Sequence, residues 1–154
     1  MRGKKVVERW QHAGLDCCIC VGIFYCLDGF VRLPPGHPEP KLAELADAID
    51  EAAELNPSPF PLERGHQHIA VDVHGGLTHG PDSDGWVGFD TGHALDYWND
   101  DDLQAHLRKD DRIAAHMIGW RLERDGLGTR WTIQQLRDEV NRLAEQLAAR
   151  AASA

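Results

Sequence analysis

Residues 68–96 read HIAVDVHGGLTHGPDSDGWVGFDTGHALD, and this stretch decides how the rest of the chain is interpreted. It contains four of the nine histidines, and a loop rich in glycine and aspartate joins two segments with strand-like alternation. Successive side chains of a strand point to opposite faces of its sheet. Residues 68–74 are therefore predicted to turn Ile69, Val71 and Val73 towards a core and the polar side chains away from it.

The second segment, residues 86–90, alternates in the same way. Val87 and Phe89 are expected to face the core, and Trp86 and Asp90 to face away from it. If the two segments pair as an antiparallel hairpin or lie as near neighbours, their polar side chains share one sheet face. We expect that face to hold the functional site, which would consist of His68, Asp72, His74, Trp86 and Asp90, with His93 and Asp96 at its rim.

Length and charge limit the classes of function. With 154 residues the chain is expected to form a single domain over 1–154, with a lead-in at 1–13, a core at 14–147 and a frayed tail at 148–154. The net charge is −9, from 16 basic and 25 acidic residues. A polymeric nucleic acid is disfavoured as a partner, because binding it normally requires a basic patch. A small anionic ligand is compatible with this charge, since a helix end or glycine-rich nest can supply a local positive field.

The N-terminal region resembles a secretory signal only superficially. Basic residues precede an apolar run at 17–27, but its 11 residues are too few to span a bilayer. Glu8 and Asp16 interrupt the approach to the run, and no small-residue cleavage site follows it. We therefore expect a buried strand and a cytoplasmic protein without a membrane partner.

All four cysteines fall in this apolar run, at positions 17, 18, 20 and 26. Their spacing does not match a zinc ribbon or knuckle. We expect reduced thiols that pack in a core strand, and a metal or redox cluster is the alternative.

The remaining pattern predicts an α+β fold. Residues 1–13 are expected to be a short helix or an ordered lead-in, and 14–33 to form two strands with a bend at 27–29. Helical periodicity covers 41–55 and 100–118, and a capping-box pair, Thr132 and Gln135, precedes a C-terminal amphipathic helix. This order predicts a small mixed or antiparallel sheet packed by two or three helices.

Four sequence elements carry a resemblance to a known family. The elements are VHGGLT at 73–78 and GFDTGH at 88–93 with Asp96 three residues on, together with GFVRLPPGHP at 29–38 and LAEQL at 143–147. In these the chain resembles an uncharacterised family of small bacteriophage and bacterial proteins. The resemblance implies a phage or prophage setting, and so the cytoplasm of a host cell if the gene belongs to a phage, and it assigns no chemistry. Thr91 stands where that family commonly has cysteine, and Val87 where it has a second aromatic residue, which argues against a cysteine nucleophile here.

A metal site is one interpretation of the motif residues. Imidazole and carboxylate groups are ligands of Zn²⁺ and related divalent ions, and three protein ligands with an open position is the catalytic arrangement. The expected ligands are His74, Asp90 and His93, with Asp72 or Asp96 orienting them or acting as a base.

Acid–base chemistry without a metal is the second interpretation. The expected catalytic residues are again His74, Asp90 and His93, because an aspartate can fix the tautomer of a histidine that exchanges protons near neutral pH. The amides of Gly75 and Gly76 would receive an anion and Trp86 would stack on a base. The set of expected ligand-binding residues is Asp72, Gly75, Gly76, Thr78, Trp86 and Asp96.

A third interpretation is structural, since aspartate and histidine at a strand end often only satisfy backbone amides. On balance we expect a protein that binds a small anionic or nucleotide-like ligand at the 68–96 face, with hydrolysis of that ligand left open. The alternative is a non-catalytic inhibitor or sequestering protein that binds a host protein or a signalling molecule. The sequence determines neither the oligomeric state nor the identity of the ligand.

Overall fold

The computed structural model describes residues 3–23, 25–37, 69 and 71–152. The helix expected at 41–55 and the residue His68 lie outside the described part of the chain. Within that part, four strands form one antiparallel sheet in the order β1-β2-β3-β4. These are β1 (Val6–His12), β2 (Leu15–Val21), β3 (Leu27–Arg32) and β4 (Trp86–Phe89).

A short parallel pair and three helices complete the described residues. The pair consists of β5 (Asp96–Trp98) and β6 (Thr129–Trp131). The helices are α1 (Asp100–Gln104), α2 (Lys109–Arg124) and α3 (Ile133–Ala152). The predicted α+β class, with a small antiparallel sheet and a C-terminal helix, is confirmed. None of the described helices has the length and apolar character needed to cross a bilayer.

The C-terminal helix covers one face of the sheet. The apolar face of α3 is fully buried at Leu136, Val140, Leu143 and Leu147, and it packs against β2 and β3. Thr132 caps the helix as predicted, because its Oγ1 accepts a hydrogen bond from the backbone N–H of Gln135 at 3.2 Å. The helix continues to Ala152, through most of the stretch expected to be a frayed tail.

The alternation predicted for residues 86–89 is confirmed, and it divides the buried side chains between two clusters. Val87 and Phe89 belong to the main core with α3. Trp86 belongs to a smaller cluster with Cys18, Cys20 and Phe30. Side chains that alternate along β4 therefore enter separate clusters, as the geometry of a strand requires.

The strand predicted at 68–74 is wrong where the structure describes it. Residues 71–73 are irregular and His74 begins a turn. Side chains of α3 bind the backbone N–H groups that a neighbouring strand would otherwise pair. The N–H of Asp72 donates to Gln146 Oε1 and the N–H of His74 donates to Glu139 Oε1, both at 2.7 Å. The hairpin, one of the two arrangements expected, does not form, since β4 pairs with β3 on one edge and its Gly88 bridges to His79 on the other.

Three further element predictions need correction. The expected helix or lead-in at 1–13 contains β1, whose Trp10 donates from Nε1 to Asn141 Oδ1 of α3 at 2.8 Å. The single helix expected at 100–118 is divided into α1 and α2, with buried Leu103 in α1 and buried Leu107 in the break between them. Leu27, Asp28 and Gly29, expected at a bend, lie inside β3.

Candidate functional site

Two histidines meet on one carboxylate oxygen. His74 Nε2 lies 2.7 Å from Asp96 Oδ2, and His93 Nδ1 lies 3.0 Å from the same atom. The two imidazole rings are 5.1 Å apart and nearly perpendicular. The structure thus gathers three groups that can bind a metal or exchange a proton, from a turn, a loop and the first residue of β5. We call them the His74–His93–Asp96 triad.

The carboxylate of the triad is buried, and its two imidazole rings are accessible. The side chain of Asp96 is 4% exposed, whereas those of His74 and His93 are 30% and 39% exposed. A carboxylate in that position is shielded from water, so its interactions with the two imidazoles are stronger than at the surface. The histidine rings remain accessible to a small molecule from solvent.

The C-terminal helix holds the turn that carries His74. Glu139 Oε1 accepts the backbone N–H of His74 at 2.7 Å and also a hydrogen bond from Arg142 Nη2 at 2.6 Å. The Glu139 carboxylate raises the pKa of Arg142, so the guanidinium stays charged. Arg142 Nη1 also lies 3.3 Å from Asp72 Oδ2. Together with the hydrogen bond from the Asp72 backbone N–H to Gln146 Oε1, the Glu139 contact fixes the main chain on both sides of Val73.

Aromatic packing also holds the His74 ring in place. Its centroid lies 4.9 Å from the Trp131 indole in an edge-to-face arrangement, and Trp131 stacks on Trp98 at 6.3 Å. Trp98 Nε1 donates to Thr91 Oγ1 at 2.7 Å, and Thr91 Oγ1 donates to the carbonyl of Leu27 at 2.8 Å. The short parallel pair β5–β6 therefore connects the triad to the main sheet.

The triad has the composition and spacing of a metal site. One ligand atom from each residue lies within 4.8 Å of the other two. Two imidazoles and one carboxylate form a ligand set that Zn²⁺ accepts, and three protein ligands leave a position open. The expected ligands His74 and His93 are brought together, but the carboxylate between them is that of Asp96.

Asp90, the third expected ligand, lies beside the triad. Its Oδ1 is 4.0 Å from His93 Nδ1 and accepts the backbone N–H of Gly92 at 2.9 Å. The backbone N–H of Asp90 donates to Thr78 Oγ1 at 3.0 Å. Thr78, one of the expected ligand-binding residues, therefore makes a structural contact. Asp90 is half-buried and reaches His93 alone, so it is placed to act next to a ligand rather than within the triad.

The other expected ligand-binding residues are spread more widely. Asp72 is 87% exposed and faces Arg142 on the outer side of α3. Trp86 is buried with Phe30 and cannot stack on a ligand at the triad. The Gly76 N–H is bonded to the carbonyl of Val73 at 3.0 Å, so it is not open to an anion.

A cavity of about 140 Å³ lies on the other side of Asp90. Its polar lining includes Lys4 and Asp28, whose Nζ and Oδ2 atoms are 2.6 Å apart. Cys26 Sγ donates to Asp28 Oδ1 at 3.5 Å. Burial raises the pKa of Asp28, and the contacts with Lys4 and Cys26 oppose that shift. The cavity places a second group of titratable side chains next to the triad.

All four cysteines are buried and reduced, as predicted. Burial raises the pKa of Cys17 to about 11, which keeps it a neutral thiol. Cys18 and Cys20 have their sulfur atoms 3.8 Å apart, and the hydrogen bond between them raises the pKa of Cys18. These thiols are core groups of the sheet.

Sequence reasoning missed Glu139, Arg142, Trp131, Lys4 and Asp28. The first three lie in or just before α3, where they have the spacing of ordinary helix and strand residues, and no local pattern links them to position 74. Asp28 could have been noticed as a carboxylate within a predicted strand, because a charge buried in a sheet needs a partner. Comparisons with protein-family models, curated proteins and solved structures return no match.

Proposed function

We propose that the protein binds a divalent cation, zinc in the first instance, through His74 Nε2, His93 Nδ1 and Asp96 Oδ2, and uses it to bind a small anionic, nucleotide-like ligand. The observation that carries the proposal is the convergence of one ligand atom from each of these three residues within 4.8 Å of the other two. Neutral imidazole and ionised carboxylate are the forms that coordinate such a cation.

The anionic class of ligand is supported by charge and access. The chain carries a net charge of −9, so a bound cation would supply the local positive field that an anion requires. The open side of the triad is flanked by the accessible edges of His74 and His93. A phosphate oxygen entering from solvent would complete the coordination of the cation there.

Hydrolysis of that ligand would need a group that accepts a proton from the attacking water. A zinc centre lowers the pKa of a bound water and polarises a phosphoryl oxygen. Asp90, 4.0 Å from His93 Nδ1 and half-exposed, is the carboxylate in position to receive that proton. With a phosphodiester, the water oxygen would bond to phosphorus, the P–O bond to the leaving group would break, and the leaving oxygen would take up a proton.

Zinc titration of the metal-stripped protein tests the first half of the proposal. We expect one zinc per chain by calorimetry and an affinity loss of about a hundredfold or more in His74→Ala and Asp96→Asn, since each removes one of three ligands. Asp72→Asn is the matched control, because this carboxylate is 87% exposed and lies outside the triad. Absence of stoichiometric zinc binding by the wild type would overturn the metal site.

A phosphodiester probe tests the second half. Bis(p-nitrophenyl) phosphate can be followed both as a ligand, by its saturable binding, and as a substrate, by the colour of the nitrophenol that hydrolysis releases. Zinc-dependent release of nitrophenol that is lost in Asp90→Asn would support an enzyme. Saturable binding without release of product would support the sequestering alternative, in which the ligand is held and not converted.

Metal-free acid–base chemistry is the second candidate, and one observation favours it. Asp96 Oδ2 is within hydrogen-bond distance of both imidazoles, at 2.7 and 3.0 Å. Such a carboxylate would fix the tautomer of each histidine. Activity that persists in EDTA and follows a bell-shaped pH profile would favour this candidate over the metal site.

A further inference from the structure

The cavity beside Asp90 has the chemistry of a ring-binding pocket. Its walls include the apolar side chains of Ile23, Phe30 and Phe89 and the polar groups of Lys4, Asp28 and Asp90. Asp90 belongs both to this cavity and to the surroundings of His93, whose Nδ1 is 4.0 Å from its Oδ1. A ligand that fills the cavity can therefore extend past Asp90 to the triad.

Two groups at the cavity wall form an adjacent acceptor and donor. Asp28 is 4% exposed and its carboxylate accepts from the Lys4 ammonium at 2.6 Å. The Lys4 Nζ atom also lies 5.2 Å above the centre of the Phe30 ring. A flat heterocycle with neighbouring N–H and C=O groups can bond to both, its N–H donating to Asp28 and its carbonyl accepting from Lys4.

The size of the cavity selects among heterocycles. An engineered protein cavity of about 150 Å³ holds one benzene molecule. The volume here, about 140 Å³, is close to that size, so it matches one six-membered ring more closely than the fused pair of rings of a purine. Phe30 and Phe89 form part of its wall, and because each is 1% exposed the ring would meet only a small part of either side chain.

We propose that this cavity binds the base of a pyrimidine nucleotide, with the base edge at Asp28 and Lys4 and the phosphate directed past Asp90 to the His74–His93–Asp96 triad. The inference deepens the proposed function and rests on it for the position of the phosphate. The base pocket itself does not depend on a metal. It can therefore be tested with ligands that carry no phosphate.

Titration of the metal-stripped protein with cytidine, uridine, adenosine and guanosine tests the pocket. We expect the two pyrimidine nucleosides to shift the backbone amide resonances of Phe30 and Asp90 in NMR spectra, and the purine nucleosides to leave them unchanged. Lys4→Met keeps the aliphatic stem and removes the ammonium, so pyrimidine affinity should fall about tenfold. Lys5→Met is the matched control, since Lys5 donates to the carbonyl of His106 outside the cavity.

Ile23→Ala gives a second variant in case Lys4→Met is unstable. Ile23 is 81% exposed at the mouth of the cavity, so its loss should spare the fold while weakening pyrimidine binding about threefold. Equal binding of purines and pyrimidines, equal affinity in Lys4→Met and Lys5→Met, or no nucleoside binding would overturn the base pocket.

The two proposals fail differently. If the base pocket is right and the triad is not a metal site, uridine and uridine monophosphate should bind with equal affinity with or without zinc. If both are right, zinc should strengthen the binding of uridine monophosphate alone. If only the metal site is right, zinc binding survives and the nucleosides do not bind.

Discussion

Gly75 lies directly against the imidazole of His93. A β-carbon added at position 75 would collide with Cε1 and Nε2 of that ring, and the backbone φ of Gly75 is 68°. The next residue, Gly76, has a similar φ of 79°, but a β-carbon there would meet nothing within 4 Å. Only glycine at position 75 allows His93 to approach the turn that carries His74. The first glycine of the HGGLT element thus has a role in the triad, and the second has a role in the turn.

This difference makes a matched pair of variants. Gly75→Ala and Gly76→Ala should each lose about 1–2 kcal/mol of unfolding free energy, because both place a side chain in the left-handed region. Gly75→Ala alone should also displace His93 and reduce zinc affinity at least tenfold. Calorimetric zinc titration and urea unfolding of both variants measure the two effects. Equal zinc affinity in the pair would show that His93 is not a ligand.

Glu139 is expected to position His74 without binding the metal itself. Its carboxylate accepts the backbone N–H of His74, so Glu139→Ala should loosen the turn and lower zinc affinity by about ten- to a hundredfold, as for other supporting contacts of metal ligands. Glu139→Gln, which keeps an acceptor oxygen, should restore most of that affinity. Asp138→Ala, on the exposed side of the same helix turn, is the control. A Glu139→Ala protein with wild-type zinc affinity would assign this residue a purely structural role.

Local sequence patterns correctly predicted those elements that depend only on the burial of apolar side chains or on a local cap. The apolar face of α3, the Thr132 cap and the alternation of β4 follow from helical and strand periodicity, and all three are confirmed. In the same way the buried, reduced state of the cysteines follows from an apolar strand.

The prediction at 68–74 failed because side chains from α3 took the place of a neighbouring strand. Alternation indicates which side chains are buried, and Ile69 and Val73 are indeed buried. It does not indicate which group will bond the backbone, and here Gln146 and Glu139 do so from more than 60 residues away. Asp96, and not Asp90, contacts both histidines because it is the first residue of β5. This strand has only three residues and no sequence signal, so the sequence could not distinguish the two aspartates.

Leu143 is a test of the core between α3 and the sheet. Its side chain is fully buried, so Leu143→Ala should reduce the free energy of unfolding by about 2–5 kcal/mol. Leu127→Ala is the control, because Leu127 is 51% exposed and its loss should change the denaturation midpoint little. Urea denaturation followed by far-UV circular dichroism measures both. An unchanged midpoint in Leu143→Ala would show that the helix contributes little to the stability of the domain.

The thiols should be unreactive in the native state. All four cysteines are buried, so a reagent in solvent does not reach them, and burial raises the pKa of Cys17 to about 11, which leaves little of its nucleophilic thiolate at neutral pH. We expect negligible labelling by a thiol reagent before unfolding, and four labelled thiols per chain after unfolding without reductant. Mass spectrometry gives the count directly. Fewer than four labelled thiols after unfolding would mean that a disulfide forms.

The last prediction concerns the carboxyl group of Asp28 and the pH dependence of stability. Burial raises its pKa above the ordinary value of 3.8, and the contacts with Lys4 and Cys26 offset this only in part. The folded protein therefore holds this proton more tightly than the unfolded chain does. The resulting contribution to the unfolding free energy is complete below pH 3.8 and is lost as the pH rises through the folded-state pKa.

Asp28→Asn does not titrate, so the unfolding free energy of the wild type minus that of the variant should decrease over this range and then level off. Urea unfolding of both proteins from about pH 3 to about pH 8 measures the difference. A difference that grows with pH would show that the ion pair with Lys4 outweighs the desolvation of Asp28.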